Sequence, residues 1–150
     1  EYKDTVPVLI GIMKGGFIFL ADLCRSITIP LEIDFLAISS YGAETSSSGV
    51  VKIRKDIDVD ITGRHVIVVE DIVDSGLSLQ YIKDYLAKHE PASLKICVLL
   101  DKPAAHKQEV KFDYVGFEIG NEFVVGYGLD FKSQYRNLPY IGILKEEIYS

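Results

Sequence analysis

Compact apolar runs rich in β-branched residues alternate along this chain with segments whose apolar residues recur every three or four positions. The first kind predicts buried strands and the second amphipathic helices, because side chains repeat every two residues on a strand and about every 3.6 on a helix. Val8 to Ile12 is the first strand signal, and Met13-Lys14-Gly15-Gly16 closes it in a tight turn. Phe17, Leu20, Ala21, Leu23, Cys24 and Ile27 then keep helical spacing until Pro30, which enforces a break before a strand over Leu31 to Ile38. Between Ser39 and Gly49 small polar residues leave almost nothing to bury, which predicts a mobile loop of the kind used as a lid. Val50 to Arg54 resumes the strand pattern. His65 to Glu70 is an apolar run of the kind buried on both faces of a parallel sheet, and it predicts a central strand. Leu79, Ile82, Tyr85 and Leu86 place a helix over Gly76 to Lys88, and Leu94 to Leu100 follows Pro91 as another buried strand. Shorter strand signals lie at Tyr114 to Glu118, Phe123 to Val125 and Tyr140 to Leu144. Two successive βαβ units predict an α/β fold: one domain with a central, mostly parallel sheet flanked by helices.

Composition narrows the class. At 150 residues, 48% of them hydrophobic, the chain can bury one core comprising about two-thirds of its unfolded surface. No run approaches the roughly 20 apolar residues of a membrane span, and the first residues, Glu1-Tyr2-Lys3-Asp4, lack a signal peptide's plan, so the expectation is a cytoplasmic protein. Two cysteines are too few for a disulfide scaffold, and Cys24 and Cys97 read as small buried hydrophobes. With 22 acidic against 16 basic residues and a net charge of −6, a broad nucleic-acid footprint is excluded, while a local cradle for a small anion is not. The chain also starts without a methionine, close to its first strand, which reads as a fragment lacking an N-terminal arm.

The chemistry concentrates in Val68 to Ser78, where Glu70 and Asp71 end a buried strand and Asp74, Ser75, Gly76, Leu77 and Ser78 form a small turn at a helix start. In open α/β sheets ligands bind at that edge. Unpaired N–H groups of a first helical turn, with the Ser75 and Ser78 hydroxyls, can hold a phosphate. Two acids beside an anion site make sense as acceptors for ribose hydroxyls or as holders of a hydrated cation, so the implied ligand is a sugar phosphate. Helix capping by Asp74 or Ser75 is the plain alternative, but it leaves Glu70 and Asp71 unexplained. Neither G-x-x-x-x-G-K-[ST] nor G-x-G-x-x-G is present, and His65, His89 and His106 are scattered without metal-ligand spacing.

Glu70 to Ser78 resembles the phosphoribosyl-pyrophosphate motif of the type I phosphoribosyltransferases, and nearly the whole chain is similar to their hypoxanthine-guanine branch. Met13-Lys14-Gly15-Gly16 is similar to the pyrophosphate loop, Ser40-Tyr41 to the start of the catalytic lid, Lys102-Pro103 to the purine-keto contact, and Glu122 through Arg136 to the base and metal segment. The resemblance implies transfer of a 5-phosphoribosyl group from 5-phosphoribosyl-1-pyrophosphate to a 6-oxopurine, with a hood over residues 100 to 136. It implies Mg2+ as cofactor, small-molecule substrates with neither nucleic acid nor membrane as partner, and a homodimer or homotetramer.

Roles follow for individual residues. Lys14 and Gly15 would meet pyrophosphate in a turn of unusual peptide geometry. Lys102 would donate to the keto oxygen and disfavour adenine, whose amine is itself a donor. Phe123 would stack on the purine, and the Val124 backbone would bond its edge. Asp130 would hold magnesium in the base segment, with Glu70 and Asp71 as further metal candidates, and Arg136 would pair with pyrophosphate. Asp74, between the sugar-phosphate cradle and the base, is the candidate acceptor for the purine N7 proton, and Ser40 and Tyr41 would close over the reaction centre. A non-catalytic sensor of the same sugar pyrophosphate is the rival reading, disfavoured because a sensor needs no complete base site. A flavodoxin-like receiver domain would need acids after its first strand, where Lys14 stands.

Overall fold

The structure is a computed structural model that describes residues 2–40 and 51–150. Six strands build the main sheet: β1 (Val8–Met13), β2 (Glu32–Ser40), β3 (Val51–Lys55), β4 (His65–Val73), β5 (Ser93–Asp101) and β6 (Tyr114–Glu118), in the order β3-β2-β1-β4-β5-β6. All neighbours pair in parallel except β3, which adds to β2 antiparallel at one edge. α1 (Phe17–Ser26) and α2 (Leu77–Ala87) supply the crossovers. Strands β7 (Val124–Val125) and β8 (Gly142–Ile143) form a separate antiparallel pair, and a short α3 (Glu146–Tyr149) follows.

Alternation along the strands explains the layers. Val8, Ile10 and Ile12 point with Val66 and Val68 toward Leu79, Ile82 and Leu86 of α2, while Leu9, Ile67 and Val69 point the other way toward Leu20 of α1. Gly11 allows α1 its close approach, since a Cβ there would lie 2.6 Å from Leu20 Cδ2. Asp34 is buried but not orphaned: it accepts the backbone N–H groups of Phe35, Asp58 and Val59, and Lys55 Nζ lies 3.7 Å away. Burial pushes its pKa up, but those bonds outweigh burial and leave it below the ordinary carboxylate value.

The topology positions the site. The chain leaves β1 for β2 on one side and returns to β4 on the other, so the sheet has its switch point between β1 and β4, where a crevice opens beyond the strand ends. Boundaries differ from expectation in instructive places. β2 runs two residues past Ile38, carried by antiparallel pairing to β3, and β4 extends to Val73 because β5 and its pairing continue past the end of β1. Cys97 is buried, which pushes its thiol up to about 11, whereas Cys24 is only half-buried and donates to the Ala21 carbonyl. Among the described residues no helix is long and apolar enough to cross a membrane.

Candidate active site at the sheet switch point

Glu70 and Asp71 lie within β4 rather than at its end, yet they begin where its partner stops: β1 pairs with β4 only as far as Val69, opposite Gly11. Beyond that point one edge of β4 is open. Asp71 Oδ1 accepts the N–H of Ile72 at 2.7 Å, and Glu70 Oε1 accepts the N–H of Asp71 at 3.1 Å. Desolvation, with the adjacent Asp71 charge and hydrogen bond, raises the Glu70 pKa well above the usual carboxylate range. The turn after β1 closes onto this edge. Its Met13–Lys14 peptide is cis, Lys14 is exposed, and a Cβ on Gly15 would overlap the Asp71 carboxylate. Gly16 is constrained by backbone, with Ile12 and Val69 carbonyls 2.9 and 3.2 Å from the place a Cβ would take.

The turn from β4 into α2 forms the first of two cavities of about 200 Å³, lined by Glu70, Ile72, Val73, Asp74, Ser75, Gly76, Ser78 and Leu79. The helix starts at Leu77, one residue later than expected, and its N-cap is Gly76 at φ +86° without a side-chain cap. Asp74 and Ser75 therefore do not cap α2, although Ser75 Oγ accepts the Leu77 N–H at 3.3 Å. The N–H groups of Ser78 and Leu79, in the first helical turn, have no acceptor within the helix and carry its positive dipole end. Val110 packs over Gly76, and Lys107 N–H donates to the Ser75 carbonyl at 3.0 Å, so the segment after β5 holds the turn in place.

The second cavity, also about 200 Å³, is lined by Asp71, Ile72, Asp74, Lys102, Phe123, Val124, Leu129 and Asp130. Three segments remote in sequence, 71–74, 102 and 123–130, meet there. Lys102 leaves the end of β5, its N–H donating to the Val73 carbonyl at 3.1 Å and its Nζ 3.4 Å from Asp74 Oδ1. Phe123 stacks on Tyr149 of α3 at 5.1 Å between centroids and meets the edge of Phe131. Asp130 Oδ2 accepts the Ser133 N–H at 2.8 Å, and its Oδ1 lies 3.4 Å from Arg136 Nη2, whose Nη1 donates to the Gly128 carbonyl. The expected lid residue Tyr41 and the Ser40 side chain lie outside the described residues.

A family profile described as the phosphoribosyl transferase domain matches residues 1–132. A hypoxanthine-guanine phosphoribosyltransferase of Bacillus subtilis is 52% identical over 149 residues, 99% of this chain and 83% of that protein. Among solved structures, a hypoxanthine phosphoribosyltransferase of Staphylococcus aureus superposes with a TM-score of 0.95 at 46% identity, covering 99% of this chain and 81% of that one. A hypoxanthine-guanine phosphoribosyltransferase of Bacillus anthracis, with HEPES in its active site, gives 0.92 at 51% identity over 96% and 85% of the two chains. This chain belongs to the phosphoribosyl transferase domain family.

Two features of this phosphoribosyl transferase domain had no signal in the sequence. Asp101, buried at the end of β5, bonds His106 Nε2 at 2.6 Å and so fixes the turn that carries Lys102. Tyr127 reaches α1 and bonds Asp22, a contact across 105 residues. The donors fit magnesium in its usual mode, in which one or two carboxylates complement water and substrate phosphate oxygens. Asp71 and Asp130 face one cavity, while among the described residues no group of three His, Cys, Asp or Glu side chains gathers as a closed cage.

Proposed function

We propose that this protein performs purine salvage, transferring the 5-phosphoribosyl group from 5-phosphoribosyl-1-pyrophosphate to N9 of hypoxanthine or guanine and releasing pyrophosphate. One observation carries the reading: two cavities of equal size share Ile72 and Asp74 as a common wall, one with a helix N-terminus suited to a phosphate, the other with a lysine and an aromatic suited to an oxopurine. The names of the relatives agree with it.

In this mechanism the β4–α2 turn binds the 5-phosphate through the N–H groups of Ser78 and Leu79 and the hydroxyls of Ser75 and Ser78. Glu70 and Asp71 accept the ribose hydroxyls. Lys102, whose ammonium has three donors, keeps its contact with Asp74 while donating to the purine O6. Adenine presents a donor there and is rejected. Phe123 lies against the ring and Val124 bonds its edge. Asp74 accepts the N7 proton as N9 displaces pyrophosphate at ribose C1. Lys14, Gly15 and Arg136 take the leaving anion, and closure by Ser40 and Tyr41 keeps water out. Asp130 and Asp71, with Glu70 a further candidate, would hold magnesium, which when bound would supply charge stabilisation for the pyrophosphate oxygens. A cytoplasmic location belongs to the same proposal, as does a homodimer or homotetramer, which the exposed Phe117 and Ile143 support.

Spectrophotometric turnover of hypoxanthine, guanine, xanthine and adenine with 5-phosphoribosyl-1-pyrophosphate tests the reading. Magnesium-dependent nucleotide from a 6-oxopurine, abolished by a chelator and absent with adenine, is the expected result. Binding of the sugar pyrophosphate without any turnover would replace the transferase with a sensor.

A further inference from the structure

The α1 helix grows directly out of the pyrophosphate turn: Gly16 is its N-cap, and the Phe17 and Leu20 N–H groups bond the Lys14 and Gly16 carbonyls at 3.3 and 3.0 Å. Any shift of α1 therefore moves Lys14 and Gly15. On the opposite wall, Gly126, Tyr127 and Gly128 all have positive φ, at +99°, +53° and +100°. This left-handed run drives the Gly128 backbone against the Gly15 carbonyl, where a Cβ would overlap it. Gly128 is also joined to Arg136 in both directions, its carbonyl accepting Nη1 at 2.7 Å and its N–H donating to the Arg136 carbonyl at 2.9 Å.

A left-handed conformation is natural for glycine but costs other residues about 1–2 kcal/mol, so Tyr127 in the middle of the run calls for a contact that favours it. Its hydroxyl donates to Asp22 Oδ2 on α1, while Arg25 engages Oδ1 and fixes the carboxylate's orientation. Two half-sites, Lys14–Gly15 and Asp130–Arg136, are thus joined by one phenol reaching one helix.

We infer that Tyr127, through its hydroxyl bond to Asp22, is a positioning residue that sets the spacing between the Lys14–Gly15 turn and the Asp130–Arg136 loop, and with it the affinity for pyrophosphate. The inference rests on the transferase reading only for the identity of that anion. Tyr127 touches neither cavity, and its effect passes through Gly128 to Gly15 and Arg136. Burial and the Asp22 carboxylate together push the phenol up to about 12, so the hydroxyl keeps its proton across the working pH range.

Tyr127→Phe keeps the ring and removes only the bond. Calorimetric titration with magnesium pyrophosphate is expected to give about three- to tenfold weaker binding, the span of one hydrogen bond, while the KM for hypoxanthine changes less than about twofold. Asp22→Ala should reproduce the loss and Asp22→Asn, which retains an acceptor oxygen, should largely restore binding. The double variant Asp22→Ala, Tyr127→Phe should lose no more than either alone. Unchanged pyrophosphate affinity in Tyr127→Phe, equal weakening toward pyrophosphate and base, or additive losses in the double variant would each overturn the inference. Because pyrophosphate binding is read directly, a wild-type protein without turnover would refute the transferase reading while still testing this one.

Discussion

The two cavities on either side of Asp74 are alike in size and opposite in construction. The proposed sugar-phosphate cradle comes from one continuous stretch, Glu70 to Leu79, shaped by a strand end, a left-handed glycine and a helix start. The proposed base cavity draws on β4, the end of β5, and the β7 segment and its following loop, so Lys102 and Asp130 reach it only after the chain has crossed the sheet and returned. A site written in one segment is as rigid as its local hydrogen bonds. A site gathered from several depends on every contact that holds them together, such as Asp101 with His106. The cradle should therefore tolerate distant change that the base cavity does not.

The largest effect belongs to the wall they share. Asp74→Asn keeps the shape but loses the proton acceptor, so kcat is expected to fall about 10²- to 10⁴-fold while the KM for the sugar pyrophosphate moves little. A kcat within a few-fold of wild type would remove Asp74 as base. Next comes Lys102→Ala, which strips a half-buried donor from the base cavity alone. The KM for hypoxanthine should rise at least about tenfold, with the cradle's affinity unaltered, and equal losses in both substrates would mean that the two cavities are not separable.

Gly76→Ala probes the cradle alone. A side chain at φ +86° that also meets Val110 should lower stability by about 1–2 kcal/mol in chemical denaturation and weaken the sugar pyrophosphate more than the base. Glu70→Gln has the smallest expected effect and the opposite sign. Glu70 has a folded pKa raised above its ordinary 4.5, so the folded state holds the proton more tightly. Its stabilising contribution is full below pH 4.5 and is lost as pH rises through the folded value. Glutamine abolishes that loss, so the ligand-free variant should melt higher than wild type near pH 7 and converge with it in acid. A variant that melts lower at pH 7 would mean that Glu70 is satisfied in its ionised form.

Much of this architecture was legible because parallel strands buried on both faces must be apolar throughout. Val8 to Ile12 and His65 to Val69 have few other places to go, and Pro30 and Pro91 mark where their crossovers end. Errors arose where pairing rather than local preference sets the boundary. β4 carries Glu70 and Asp71 inside it because β5 continues alongside, and β2 includes Ser39 because β3 folds back on it. The plain capping alternative for Asp74 and Ser75 gives way for a local reason: Gly76 takes the N-cap in a left-handed turn, so Asp74 meets Lys102 and Ser75 Oγ accepts the Leu77 N–H instead.

Sequence alone determined the layered α/β class, the acidic pair, the glycine turn after β1 and the phosphate-suited helix start, since each depends on residues within about ten positions of one another. Tertiary structure alone decided that Asp71 and Asp130 face one cavity, that Lys102 reaches Asp74, that Phe123 stacks on Tyr149, and that Tyr127 joins Asp22. Those contacts connect segments whose separation is fixed by strand order, and strand order is the outcome of packing two faces of one sheet, which no local spacing encodes.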